Sequence, residues 1–295
     1  MRDSEANKTI RDLLDEADKA LEESQSVTEQ RLLQAYRKAL DDVQAKIAKV
    51  FAATDKPTIT EMRKFKRLTS IEQQIADRIK QLTQVSVNVT HQSAKDSFLS
   101  SYDSTANALK IGTGLDLAFD KIPADSISYV VTDNLWLDAL KLDNAKLMSD
   151  IKREFETVLR TNARQEVVEG LAEGQPYSTV AKAIKERFDV AATRAKTIAF
   201  TEMHKSHSMG RLEGIHRGSD AADRLGLVAT KVWKHNHIGV PRPEHLAADG
   251  QTADASGYFR VGGERLEAPG LGRDPGNNIN CHCSAQFEIQ GLGEL

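Results

Sequence analysis

Cysteine is nearly absent from this chain: there are two in 295 residues, and both lie in one Cys281-His282-Cys283 triplet. That excludes a disulfide framework and leaves ligation or redox pairing as uses for adjacent thiols. Aromatics are scarce at 5% and prolines number 7, so neither a large aromatic core nor a proline-rich linker is written in. Net charge is also close to absent, with 43 acidic residues against 40 basic ones. No global field therefore draws the chain to nucleic acid, and such binding would rest on local patches. No apolar run reaches the ~18 residues of a membrane span. The polar start, Met1-Arg2-Asp3-Ser4-Glu5, has no apolar signal core behind it, so synthesis in the cytoplasm is expected.

What is present is mostly charged, aliphatic and helical in period. Residues 5–52 predict a helix with a stripe of Leu33, Tyr36, Leu40, Val43, Ile47 and Val50. Thr54 to Thr60, with Pro57, interrupts it, and Thr58 with Glu61 forms a capping box for a second helix faced by Phe65, Leu68, Ile75, Ile79 and Leu82. Its first turns carry Arg63, Lys64, Lys66 and Arg67, a candidate contact for DNA phosphates or simply a solvated face.

Val87 and Val89 alternate within 86–90 and predict a short strand, followed by a helix over 94–109. Gly112, Gly114 and Pro123 mark loops. A long helix begins near Asp133 and ends around Gly170 to Gly174, before Pro176. Ser178 is a candidate N-cap for a short helix, and a further helix spans about 191–217.

After Gly226 the texture changes. Val228, Thr230 and Val232 alternate as a strand, Tyr258 to Leu266 reads as a hairpin around Gly262-Gly263, and Ala285, Phe287 and Ile289 alternate in a last strand. The expected fold class is α+β: a mainly α-helical body with a small C-terminal β-rich, loop-rich module. The expected regions are 1–85 as a helical N-terminal region, 86–225 as a helical body and 226–295 as the C-terminal module.

The module concentrates the chemistry. Zinc takes about four nitrogen or sulfur ligands in a tetrahedron. Cys281 and Cys283 supply two, and His245 is the best third because Pro241 and Pro243 stiffen its loop. His237 is the fourth candidate, beside His235 and His282. The alternative is a reduced thiol pair with histidines bonded to loop carbonyls. A small module with few apolar residues needs something to hold it, which favours a structural zinc. Catalytic readings fit less well. His235-Asn236-His237 is contiguous, unlike the dispersed motif of His-Asn-His nucleases. A zinc deaminase needs His-x-Glu and Pro-Cys-x-x-Cys, and a Cys/His protease signature is missing. His204 and His207, on the helix carrying Thr201-Glu202, read as polar positions and not as ligands.

The C-terminal residues in order resemble the Mu F-like family of phage head morphogenesis, or minor head, proteins. The resemblance is carried by Arg194-Ala195, Ile198-Ala199-Phe200-Thr201-Glu202, Ser208 to Arg211 and Lys231-Val232-Trp233. It continues through Arg242-Pro243 with His245, Asp249-Gly250-Gln251, Phe259 to Gly263, Pro269-Gly270 and Asn278 to Cys283. It is strongest over 190–285 and looser over 130–190. Phe200 and His282 stand where the family usually has Arg, and histidines replace an acidic residue after Trp233.

The resemblance implies a non-enzymatic assembly role in head morphogenesis, DNA packaging or delivery, located in the virion at the portal vertex. Expected partners are the portal protein, scaffold or major capsid protein, and DNA. Glu202 and Arg242 are expected to organise the joint between helix and module, with Trp233 as a structural residue. The alternatives are a metal-dependent nuclease or hydrolase acting on DNA, and a non-catalytic DNA-binding accessory protein.

Overall fold

In a computed structural model, residues 2–53, 58–64, 66–115, 122, 127, 135–167 and 177–292 are described. The long helices are α1 (Arg2–Ala53), α3 (Arg67–Thr113), α4 (Leu135–Val167) and α5 (Tyr177–Asp223), with the short α2 (Ile59–Lys64) between the first two. The rest is β1 (Val228–Lys234), α6 (Pro243–Ala247), β2 (Phe259–Val261), β3 (Glu264–Leu266), α7 (Pro275–Asn278) and β4 (Ser284–Gln290). The mainly α-helical chain with a small strand-bearing C-terminal part is the expected class. No helix among the described residues is long and apolar enough to cross a membrane. Pro57, Phe65, Pro123, Gly170 to Gly174 and Pro176 lie outside the described residues, as do the side chains of Glu61 and Lys64.

Two of the expected elements are corrected. Val87 and Val89 form no strand; they lie inside α3. The buried face there begins with Ser86 and Thr90 and goes on through Ser93, Ser97, Ser101 and Thr105, three or four apart, beside buried Ala94, Phe98 and Tyr102. Their hydroxyls need not oppose the helix, because a Ser or Thr can bond the carbonyl one turn back. Ser86 donates to Leu82 O at 2.9 Å, Ser97 to Ser93 O at 2.8 Å and Thr105 to Ser101 O at 2.7 Å. At 86–90 the helical period is thus carried by small polar residues that hydropathy overlooks. The second correction is Ser178, which lies within the first turn of α5, a single helix through the two helices expected separately. Val180, Ile184, Phe188, Ala191, Ala195, Ile198 and Ala199 keep one buried stripe across the supposed break. Gly112, expected in a loop, is in the last turn of α3; Gly114 follows it with φ +69°.

The chain folds into two compact units. One takes the described residues within Glu29–Val89 and Leu135–Lys196. Its core is the expected stripe of α1 (Tyr36, Leu40, Val43, Ile47 and Val50), with Leu32 buried where Leu33 is half-buried. Tyr36 Oη donates to buried Asn144 Oδ1 at 2.7 Å, tying α1 to α4, and Gln44 Nε2 donates to Ala181 O at 3.1 Å, tying α1 to α5. Surface ion pairs such as Arg187–Glu154 (2.9 Å) and Arg194–Asp143 (2.7 Å) add register more than stability.

The other unit takes the described residues within Met1–Thr28, Thr90–Asn134 and Thr197–Leu295. Ile10 and Leu14 of α1, Ala108 and Leu109 of α3, Ile215 and Ala222 of α5, and Ala285, Phe287 and Ile289 of β4 make one core. Helices α3 and α5 approach closely at Gly210, where a Cβ would sit 2.2 Å from Phe98 O. Strands β1 and β4 pair antiparallel from Val228↔Gln290 to Lys234↔Ser284, and β2 and β3 form the expected hairpin. α1 supplies polar groups to β4: Asn7 accepts from Ile289 N at 2.8 Å and donates to Ile289 O at 2.9 Å, and Asp3 accepts from Gly291 N at 3.0 Å. A helix thereby satisfies strand groups that would otherwise form a sticky edge.

Candidate metal centre

The cysteines sit in an extended stretch just before β4, where side chains two apart share a face. Asn280, with φ +52°, turns the chain into that stretch, and Cys281 N donates to Asn278 O at 3.1 Å. Opposite lies α6, whose first residue, Pro243, suits a helix start because its missing N–H would have no partner there. This one-turn helix presents His245 inward.

Cys281 Sγ lies 3.7 Å and Cys283 Sγ 3.6 Å from His245 Nδ1. The three ligand atoms are all within 4.8 Å of one another, and all three residues are buried. A tetrahedral zinc at ~2.3 Å from sulfur and ~2.05 Å from nitrogen puts those atoms about 3.6 Å apart. The observed spacing therefore fits three corners of such a tetrahedron. Two thiolates and an imidazole are also a donor set that suits zinc over magnesium or calcium.

The walls are apolar. Trp233, Ala248, Phe259, Val261 and Leu266 surround the cysteines, and the Trp233 ring meets His245 edge-on at 5.6 Å and Phe259 at 5.4 Å. The two buried thiols oppose each other's ionisation. Hydrogen bonding with Cys283 holds the Cys281 thiol well below the usual cysteine range. The same hydrogen bond, with burial and the charge on Cys281, pushes the Cys283 thiol up. A bound cation would remove that conflict by neutralising both sulfurs.

The other histidines are arranged differently. His237, exposed at φ +53°, lies outside the group of close ligand atoms, and its N–H donates to His235 Nδ1 at 3.0 Å. His282 lines a cavity of about 20 Å³ with Asp18, His204 and His207. His204 Nε2 donates to Cys283 O at 2.8 Å, so α5 anchors the backbone of one candidate ligand. His207 Nε2 lies 3.2 Å and Arg211 Nη2 2.7 Å from Asp18 Oδ1. Arg211 also donates to Leu14 O at 3.1 Å and Ala285 O at 3.3 Å, joining α1, α5 and β4 through one buried guanidinium. Burial alone would raise the Asp18 carboxyl, but Arg211 and His207 hold it well below the usual range. Arg211 lies in the Ser208 to Arg211 stretch and His207 just before it, but Asp18, far away in the sequence, carried no mark, so the cluster as such was not legible.

Arg242 donates to the carbonyl of Ile279, linking the start of α6 to the approach to Cys281. Glu202 is buried on α5. In the other unit, Lys66 and Arg67 line a cleft of about 440 Å³ together with Lys46 and Lys49 of α1. Arg63 is exposed on α2.

Residues 161–286, which include all three candidate ligands, match the family described as Phage Mu protein F like protein. Over 94% of its length the chain is 24% identical to the Minor head protein GP7 of Bacillus phage SPP1, covering 87% of that protein. The chain carries a Mu F-like region over residues 161–286. It is also 24% identical, over 50% of its length, to the NAD(+)--arginine ADP-ribosyltransferase EFV of Enterococcus faecalis, of which it covers 29%. The similarity thus spans under a third of that transferase. No solved structure matches the chain. The matched stretch contains α5, β1, the β2–β3 hairpin, the first three residues of β4 and the thiol–imidazole group, and leaves α1 and α3 outside.

Proposed function

We propose that this Mu F-like chain is a minor head protein of the virion, acting in head morphogenesis at the portal vertex with a role in DNA packaging or delivery. The observation that carries this reading is similarity to a minor head protein along nearly the full length of both chains. Its partners on this reading are the portal protein, with scaffold or major capsid protein. The test is the copy number in purified virions by quantitative mass spectrometry against the major capsid protein. A few copies per particle are expected; a number comparable to the major capsid protein would reject the vertex location.

The C-terminal module is built around a structural zinc on this reading, held by His245, Cys281 and Cys283. The metal would cross-link α6 to the stretch before β4 and neutralise two buried sulfurs, stabilising the fold directly. A hydrolytic zinc keeps a position open to solvent and substrate, whereas these ligands are only 2–3% exposed. That burial favours a non-catalytic role over a nuclease. Elemental analysis of the purified protein should find one zinc per chain. Divalent-metal-dependent DNA cleavage that disappears in His245→Ala would support the nuclease instead.

A second reading, direct contact with DNA, is favoured by the cleft that gathers Lys46, Lys49, Lys66 and Arg67 with no acidic side chain among the described residues of its lining. Phosphate contacts release counterions, so each one adds about −0.9 to the slope of log K against log salt on duplex DNA. Lys46→Glu with Lys66→Glu should weaken binding and flatten that slope by about two contacts; an unaltered slope rejects the cleft as the DNA site.

A further inference from the structure

A histidine can ligate a metal through either ring nitrogen, and the other nitrogen's hydrogen bond decides which. In His245, Nδ1 faces both thiols, and Nε2 lies 3.3 Å from Asn277 Oδ1. Asn277 is itself held by a third residue: its Nδ2 donates to Glu264 Oε2 at 2.7 Å. A carboxylate only accepts, so Glu264 dictates which end of the Asn277 amide it meets. The amide oxygen is then the end turned to the ring. An amide oxygen also only accepts, so the ring nitrogen facing it must carry the proton. That leaves the Nδ1 lone pair pointing between Cys281 and Cys283.

We propose that Glu264 and Asn277 are positioning residues of the metal centre, which hold His245 as its Nε2–H tautomer so that Nδ1 is the ligand atom. The proposal rests on the zinc reading above. The chain is pinned at its outer end, where Glu264 Oε1 accepts from Arg273 N and Asp274 N, each at 3.1 Å. Asp274 in turn starts α7 by accepting from Gly276 N at 2.8 Å, which places Asn277 one residue on. The hairpin makes room for it: a Cβ at Gly262 would lie 2.3 Å from Asn277 Oδ1. Hence the Gly262-Gly263 turn, legible as hairpin chemistry, also permits the amide to reach the histidine. Partners beyond the ligands often tune metal affinity as much as the ligands' own placement does.

The test uses the full-length protein, zinc as the probe, and two readouts. Chelator competition gives the zinc affinity, and long-range proton–nitrogen NMR of the metal-free protein gives the His245 tautomer. Asn277→Ala should lower zinc affinity about 10- to 100-fold while keeping one zinc per chain. The wild-type ring should be protonated at Nε2, and the variant should lose that single-tautomer signature. The double variant Glu264→Gln with Asn277→Asp reverses donor and acceptor within the pair but still offers His245 an acceptor. It should recover most of the affinity and the tautomer, which a loss of general folding would not. Unchanged zinc affinity in Asn277→Ala, or a wild-type ring protonated at Nδ1, overturns the proposal. Wild-type protein that binds no zinc overturns the zinc reading itself, and the tautomer measurement still decides whether the Glu264–Asn277–His245 chain operates.

Discussion

His207 makes the stability of this protein fall as pH is lowered through a defined window. Its ring is buried against Asp18, which it shares with Arg211, and burial holds its pKa down to about 4, against the Asp18 hydrogen bond that raises it. In the unfolded chain the same ring titrates near 6.5. Above that value both states hold it neutral, and it contributes no pH dependence. As pH falls below it, the unfolded chain takes up a proton that the folded one refuses, so stability drops until about pH 4. The gap between the two pKa values corresponds to a loss of about 3 kcal/mol at ~1.36 kcal/mol per pH unit. Asp18 does not overlap this window, because its carboxyl is held below the ordinary range and matters only in stronger acid. The perturbation is His207→Asn, which keeps a donor toward Asp18 and cannot titrate. Urea unfolding followed by circular dichroism at a series of pH values from 7.5 to 4 gives the assay. Wild type should lose about 3 kcal/mol more than the variant over that range. Parallel curves for the two proteins would refute the reasoning, because the lost stability would then come from other groups.

Arg211→Met leaves Asp18 charged in a site with its main partner gone, which should cost about 3–5 kcal/mol in urea unfolding; adding Asp18→Leu should recover part of it. Gly210→Ala drives a methyl into the Phe98 carbonyl and should destabilise by about 1–3 kcal/mol, visible as a lower Tm; an unchanged Tm would mean that α3 and α5 do not meet there. Chelation should lower the Tm of wild type, and Cys281→Ser should begin at the chelated value and respond no further; equal chelator sensitivity in the two would remove Cys281 from the ligand set.

Much of the fold was legible because it repeats. Tyr36, Leu40, Val43, Ile47 and Val50 carry a helical period in bulky apolar groups, and they are buried in the structure. The Gly262-Gly263 hairpin and the alternation of Ala285, Phe287 and Ile289 were equally plain, since turn chemistry and a period of two are local properties. The segment 86–90 misled because its buried residues are Ser86 and Thr90, and the Val87 and Val89 alternation was the louder signal. Helix α5 was divided between Phe188 and Ala191, although its buried stripe runs on through Ala191, Ala195, Ile198 and Ala199. At the candidate site, two thiols and a nearby histidine could be named, as residue type limits which side chains ligate a soft cation. Asn277 and Glu264 carried no such mark.

Sequence alone determined the helical stripes, the change of texture after Gly226, the hairpin and the choice of Cys281, Cys283 and His245, all of which rest on residue chemistry and short-range spacing. Tertiary structure decided the rest: that Asn7 satisfies Ile289 in β4, that Arg211 joins Leu14 to Ala285, and that Glu264 and Asn277 turn His245 toward the thiols. Those pairings depend on which backbone groups and carboxylates come within hydrogen-bond reach, about 3 Å, and folding sets that distance independently of separation along the chain.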